Sequence, residues 1–291
     1  MNAFYFIDKP IWITSFDVVK NLRKILNIKR IWHTWTLDPL ASGGLLIATW
    51  NYTKLIPYFE KDFKTYEFEV SFNWTSPSFD LGTEVNFITD KDLEKLKQNL
   101  TTKNLENILK EKFSWEIEQI PPKYSALKIN WKKALNKVLD WEEFELKPRK
   151  CFIYEIKLIN LNFPKATFIA KVSAWTYIRS IANDLWQYFW SWAYVSKLRR
   201  ISVWELEISN SQKLENFDKE KKLSIKKLFK SKIFVEKKDL NDEILKKLNN
   251  WMEISWDFPF EKNKDIFIVD WENVLNIAIF DWKKLIPRKK I

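Results

Sequence analysis

Cysteine, histidine and glycine are nearly missing from this chain. One cysteine, Cys151, in 291 residues excludes an intramolecular disulfide. One histidine, His33, leaves no Cys/His set for a structural zinc. No run of about 18 apolar residues occurs, so no membrane-spanning helix is written here. The opening MNAFYFIDKPIW meets Asp8, Lys9 and Pro10 before a signal peptide's apolar stretch could form, and the expectation is a cytoplasmic protein. Apolar residues make up 46% and charged residues 30%, which suits a packed core and argues against disorder. Lysine and arginine number 49 against 38 acidic residues. The net charge of +11 favours a polyanionic partner, nucleic acid first and an anionic membrane surface second. The length suits two domains of roughly 100 to 200 residues each.

The glycine shortage is an anomaly. A fold of this size needs turns at positive φ, which glycine supplies, yet only 3 glycines stand beside 17 tryptophans. Together they are 20 residues, close to the ordinary glycine share of about 7%. The tryptophans also keep glycine's company: Asn130-Trp131 and Asp140-Trp141 read like Asn-Gly and Asp-Gly turns. The expectation is a gene that uses UGA for glycine, rendered with a code that reads UGA as tryptophan. A tryptophan-rich protein is the alternative. Under the first reading the tryptophans fall in turns, at positive φ or with exposed indoles.

The spacing predicts a helix from Thr14 to Asn27, with Thr14 and Asp17 at capping-box distance and Val18, Val19, Leu22, Ile25 and Leu26 on one apolar face. Tyr66 to Phe72 alternates and reads as a strand; Asp90 to Phe113 reads as one or two surface helices. Phe152 to Asn162 and Thr167 to Val172 are strand-like, with Pro164 in the turn between them, and Tyr177 to Trp190 reads as a helix. Lys213 to Lys232 is charge-rich and marks a boundary. Beyond it Ile266 to Val269, Val274 to Phe280 and Leu285 to Pro287 are short strands separated by Asp-Trp pairs. The order implies an α+β fold, residues 1–231, followed by a small β-rich domain, residues 232–291.

The densest polar cluster in an apolar setting runs from Trp32 to Gly44 and holds His33 and Asp38. Asp38 precedes Pro39, which keeps it out of the helical region; it either presents its carboxylate to a ligand or merely caps the next turn. Arg179 follows a strand-to-helix joint in apolar surroundings, where an arginine has a carboxylate or phosphate partner or else a solvated helix face. Gln119 to Lys128, with its Pro-Pro, tyrosine and lysines, reads as a nucleic-acid-facing loop or a stiffened crossing.

These residues carry a family resemblance. His33-Thr-Trp-Thr-Leu-Asp-Pro-Leu-Ala-Ser-Gly43 resembles the HTGTLDPLASG signature of the TruB family of tRNA pseudouridine synthases. Asp8 to Ser15 resembles DKPxGxTS, Lys64-Thr-Tyr66 the lysine-x-tyrosine strand, and Gln119 to Ala134 the QxPPxYSAxKxxGxxA segment. Trp175-Thr-Tyr-Ile-Arg179 resembles GTYIR, and Leu198-Arg199-Arg200 resembles LRR. Trp12, Trp35, Trp131 and Trp175 fall where the family has glycine. Trp74 to Gly82 departs from the family's TDT-like run before the aspartate.

The resemblance implies a mixed, mainly antiparallel sheet with flanking helices, and a PUA-like domain at Leu248 to Ile291. It implies an isomerase converting the T-arm loop uridine of tRNA, position 55 in conventional tRNA numbering, to pseudouridine. Asp38 would be the nucleophile, Arg179 its ionic partner, Tyr66 a stack for the base, and His33 a support for the flipped-out nucleotide. Lys9, Lys64, Tyr177 and Leu198 would be further substrate contacts. The resemblance implies no metal or organic cofactor, in agreement with the missing Cys/His set. The expected state is a monomer bound to tRNA. An RNA-guided enzyme and an inactive tRNA chaperone are the rival readings; the missing basic extensions speak against the first and the trio Asp38, Tyr66 and Arg179 against the second.

Overall fold

The computed structural model describes residues 2–59, 63–72, 74–87, 90–189, 191–255, 264–281 and 284–291. Its centre is built from strands with two buried faces. β1 (Ala3–Lys9) pairs antiparallel with β3 (Ala41–Thr49) from Ala3 opposite Thr49 to Lys9 opposite Gly43. Between them in sequence lie α1 (Ser15–Leu26) and β2 (Ile31–His33). Alternation divides these strands between two cores. Tyr5, Ile7, Leu45 and Ile47 pack against Val18, Val19 and Leu22 of α1. Phe4, Phe6, Leu46 and Ala48 point to the other face.

The sheet continues through β4 (Lys64–Ser71), β5 (Trp115–Gln119), β6 (Arg149–Asn162), β7 (Lys165–Val172), β8 (Tyr194–Val203), β9 (Leu206–Glu207) and β10 (Gln212–Lys213). Its order is β10-β1-β3-β8-β4-β7-β6-β5, with β2 on β3 and β9 on β8. The β10-β1 and β3-β8 pairs are parallel and every other pair is antiparallel, as the resemblance predicted. The helices α2 (Asp90–Asn99), α3 (Thr102–Lys112) and α5 (Ile178–Phe189) cover one face through Leu96, Leu105, Leu109, Ile181 and Leu185. A short α4 (Ala134–Leu139) follows a hairpin at Lys128–Ile129 and Lys132–Lys133.

A second, five-stranded sheet follows α6 (Ile225–Leu228). Its strands are β11 (Ile233–Glu236), β12 (Ile254–Ser255), β13 (Asp265–Asp270), β14 (Asn273–Asp281) and β15 (Lys284–Lys290), in the order β11-β13-β14-β15-β12, with α7 (Asp242–Asn249) packed on it. Phe267, Val269, Val274 and Ile277 join Phe4, Phe6 and Phe229 in one apolar cluster, so the two sheets share a core. Tyr52 seals the seam: its hydroxyl donates to the Glu272 carbonyl at 3.0 Å and accepts from the Val274 N–H at 3.3 Å.

The α1 capping box is present in both directions between Thr14 and Asp17. Ile25, expected on the apolar face, instead points to solvent. The helix predicted to Trp190 reaches Phe189; Trp190 lies outside the described residues, as does Trp282 of the last Asp-Trp pair.

Candidate active site

The segment from Trp35 to Gly44 is an arch whose ends are fixed from below, with Asp38 at its crest. Leu37 is held on both backbone groups by one hydroxyl: Ser15 Oγ donates to its carbonyl at 3.0 Å and accepts from its N–H at 2.9 Å. The Trp12 N–H donates to the Pro39 carbonyl at 2.9 Å and the Ala41 N–H to the Asp38 carbonyl at 3.1 Å. The fully buried Arg200 spans the arch, Nε donating to the Gly44 carbonyl at 2.7 Å and Nη2 to the Trp35 carbonyl at 2.8 Å. Gly43 makes this approach possible: at φ 107°, any Cβ added there would sit 2.2 Å from the Arg200 carbonyl oxygen. Arg199 ties β8 to β1 by a two-pronged pair with Asp8, at 2.7 and 3.1 Å.

Arg179, near the start of α5, meets Asp38 as the sequence predicted: Nε lies 3.0 Å from Asp38 Oδ2. Its other donors are also engaged. Nη1 donates to the Ser78 carbonyl at 3.0 Å and lies 3.4 Å from Asp80 Oδ2, while Nη2 donates to the Tyr124 carbonyl at 3.0 Å. The arginine is buried, whereas 39% of the Asp38 side chain stays open to solvent. Desolvation pushes the Asp38 carboxyl above the ordinary carboxylate range; the Arg179 guanidinium pulls it back and the Asp80 charge pushes it up again. The outcome is an aimed, accessible carboxylate in a cleft that Asp80, Leu198 and Val195 also line.

Asp80 was not singled out in the sequence. It lies in the stretch that departs from the family pattern, where the hydroxyls of Ser76, Ser78 and Thr83 interlock. Ser78 Oγ donates to Asp80 Oδ1 at 2.6 Å and the Gly82 N–H does so at 2.8 Å. The available signal was a carboxylate flanked by hydroxyls and a glycine, which is the composition of a rigid Asx turn.

Tyr66 sits on β4 opposite Arg200 and is buried in the apolar cluster that contains Leu37 and Ala41, on either side of Asp38. Tyr177 is clamped by Gln119, whose side-chain carbonyl accepts from the Tyr177 N–H at 2.7 Å and whose amide donates to the Tyr177 carbonyl at 3.0 Å. Burial raises the Tyr177 hydroxyl pKa, and the Asp38 charge acts in the same direction. His33 Nε2 lies 3.1 Å from Thr36 Oγ1, and its ring stacks on Trp32. Burial and then Arg200 lower the His33 pKa, so the ring is neutral at pH 7.

Two expected substrate contacts, Lys9 and Lys64, are buried. Lys9 is fully buried and its ammonium donates to the carbonyls of Pro10, Ile13 and Pro39 at 2.9, 2.8 and 3.3 Å. Burial brings its pKa down to about 8. Its place is beneath the arch, against the Pro39 carbonyl. Lys64 is buried too, on β4, with its ammonium 5.2 Å from the Trp35 ring centroid. A lysine in an amphipathic motif reads as surface, but here charge is consumed by backbone carbonyls and a ring.

The whole architecture recurs in solved structures. The chain superposes on a Cbf5–Nop10–Gar1 complex with a TM-score of 0.64 at 18% identity, covering 99% of this chain and 84% of that one. It also superposes on an H/ACA RNP bound to a substrate RNA containing 2′-deoxyuridine, with a TM-score of 0.63 at 16% identity and coverage of 99% and 84%. Residues 23–178 match the N-terminal domain of TruB family pseudouridylate synthases, and the chain belongs to that family. It is 34% identical to tRNA pseudouridine synthase B of Clostridium kluyveri over 87% of this chain and 86% of the relative. It is also 34% identical to the enzyme of the same name from Rickettsia bellii, over 94% of this chain and 93% of the relative.

Proposed function

We propose that this protein is a tRNA pseudouridine synthase acting on the T-arm loop uridine at position 55, in the cytoplasm and as a monomer. The supporting observation is the Asp38–Arg179 pair at 3.0 Å, a carboxyl group held open to solvent in a cleft within the family's own motifs. The reaction breaks the N-glycosidic bond and rejoins the base through carbon. Asp38 attacks or stabilises the sugar carbon released by the base, a role carboxylates fill in other glycosyl chemistry. Arg179 keeps that carboxylate charged and aimed. The new carbon attachment loses one proton and the freed nitrogen gains one, so the isomerisation needs no co-reactant. A uridine inside the T-loop reaches Asp38 only when flipped out of its stack. The neutral, half-buried His33 suits support of that extruded nucleotide, and Tyr66 and Leu198 supply the apolar bed beneath the base.

Residues 1–231 form the proposed catalytic domain and residues 232–291 a PUA-like RNA-binding domain. The exposed Arg288 and Lys290 of β15 favour phosphate contact there.

Asp38→Asn preserves shape and removes the charge. Pseudouridine formation in a T-arm RNA should fall at least about 10³-fold, as for loss of a covalent nucleophile, while the tRNA dissociation constant stays within a few-fold. Turnover near the wild-type rate removes Asp38 from this role.

A further inference from the structure

Ten of the tryptophans sit where the backbone is left-handed: Trp12, Trp35, Trp50, Trp115, Trp131, Trp141, Trp175, Trp204, Trp251 and Trp271, with φ between 50° and 72°. Three tryptophans lie outside the described residues, so only Trp32, Trp74, Trp186 and Trp192 have ordinary φ. Among the other described non-glycine residues, only Asn27, Phe79 and Asn130 share the left-handed region. A bulky side chain there is an outlier wherever it occurs. Ten in one residue type is a systematic feature.

The motifs around these positions each call for glycine on their own. α4 ends with the Trp141 N–H on the Val138 carbonyl and the Glu142 N–H on the Lys137 carbonyl. α7 ends identically, Trp251 to Leu248 and Met252 to Lys247. Both are Schellman closures, and in both the tryptophan holds the position that glycine takes. Asn130 and Trp131, at φ 49° and 69°, form the two-residue loop of a hairpin whose type requires two positive φ values, the place of Asn-Gly. Trp204 and Trp271 open the two-residue loops between β8 and β9 and between β13 and β14. The indoles gain nothing in return: Trp131 and Trp141 are each 93% exposed.

We infer that glycine, decoded from UGA, is the native residue at the 17 tryptophan positions. One codon accounts for the ten strained sites, for the four ordinary ones and for the shortage of glycine together. The consequence reaches the site. Trp12 and Trp35 flank the arch carrying Asp38, and Trp175 precedes Arg179 by four residues. Glycine at 12 and 175 replaces exposed indoles with bare backbone that a nucleic acid chain can approach closely.

Peptide masses of the protein isolated from its own host decide the matter directly. Glycine masses at Trp131, Trp141, Trp251 and Trp271 are expected; tryptophan masses there, or UGG codons in the gene, overturn the inference. A second measurement is independent of any activity. In the full-length chain, Trp141→Gly and Trp251→Gly should each raise the midpoint of thermal unfolding, and the chain with all 17 changes should show one sharp transition far above that of the chain as written. An unchanged or lowered midpoint overturns it.

Discussion

Arg179 shows how much one side chain can settle. Its donors serve two carboxylates and two carbonyls drawn from three segments that are far apart in sequence. Such a planar fork cannot be replaced by a lysine's point charge. The carboxylate it aims has a pKa above the ordinary value of about 4, so activity requires deprotonation and is lost as pH falls through that raised value. The acid limb of kcat/KM against pH should therefore lie above about pH 4. Asp80→Asn removes a repelling negative charge and should move the limb to lower pH; a limb that stays put or rises contradicts the electrostatics. The sequence made Asp38, Arg179 and their pairing legible because each sits in a polar motif with an apolar surround. It gave no hint that Lys9 and Lys64 are buried, since burial of a lysine leaves no trace in a one-dimensional pattern. Asp80 escaped because its partners, Ser76, Ser78 and Thr83, look like ordinary loop composition. At this scale too lies the strain of the tryptophans: a left-handed non-glycine residue costs roughly 1–2 kcal/mol. Ten of them would offset most of the ~5–15 kcal/mol by which a domain is stable.

Elements with a clear period or with turn signals at their ends were readable, and elements with neither were not. α1, the two helices of Asp90 to Phe113, α5, β6 and β7 carry a period of 3.6 or 2, the strands of the second sheet are marked off by Asp-Trp pairs, and all were expected within a few residues. β1 and β3 are apolar over most of their length and show no alternation to detect, while β8 breaks its apolar residues with Ser196, Lys197, Arg199, Arg200 and Ser202 in no regular period. These three form the floor beneath the arch, and Arg200 on β8 is its keystone. Arg200→Met should leave the carbonyls of Trp35 and Gly44 unpaired, at a cost of about 1–3 kcal/mol for each. Thermal unfolding should shift down by several degrees. Turnover of bound RNA should drop about 10- to 100-fold, as for misplacement of a catalytic group, with tRNA affinity preserved. Arg200→Lys should restore the charge but not the fork, and recover only part of the turnover. Equal losses in kcat and affinity would make Arg200 merely structural.

For the molecule as a whole, the net charge of +11 predicts a steep salt dependence of tRNA binding. Burial lowers the Lys54 pKa, and Arg30 and Lys289 both lie close enough to lower it further. Removing Arg288 and Lys289 by alanine substitution should flatten the slope of log affinity against log salt by about 1.5 to 2. The rate on saturating RNA should be unchanged. An unaltered slope would leave β15 outside the RNA contact. Point substitution is the right probe, because truncation at residue 232 would strip Phe267 and Ile277 from the cluster around Phe4.

That shared cluster also orders events during synthesis. β1 meets its antiparallel partner β3 early, and Tyr52 and Phe59 soon pack on Phe4, but its other neighbour, β10, begins some 200 residues later, and Phe229 and Phe267 of the same cluster come later still. At the ribosome's pace of ~5–20 residues per second, the apolar face of β1 waits roughly 10–40 s for that edge to be closed. Throughout that interval the nascent chain displays Phe4 and Phe6 on an unpaired strand edge, a template for wrong partners. The first strand to emerge is thus completed only after most of the first sheet has been made, and a chaperone that shields it has most to do before the second sheet forms.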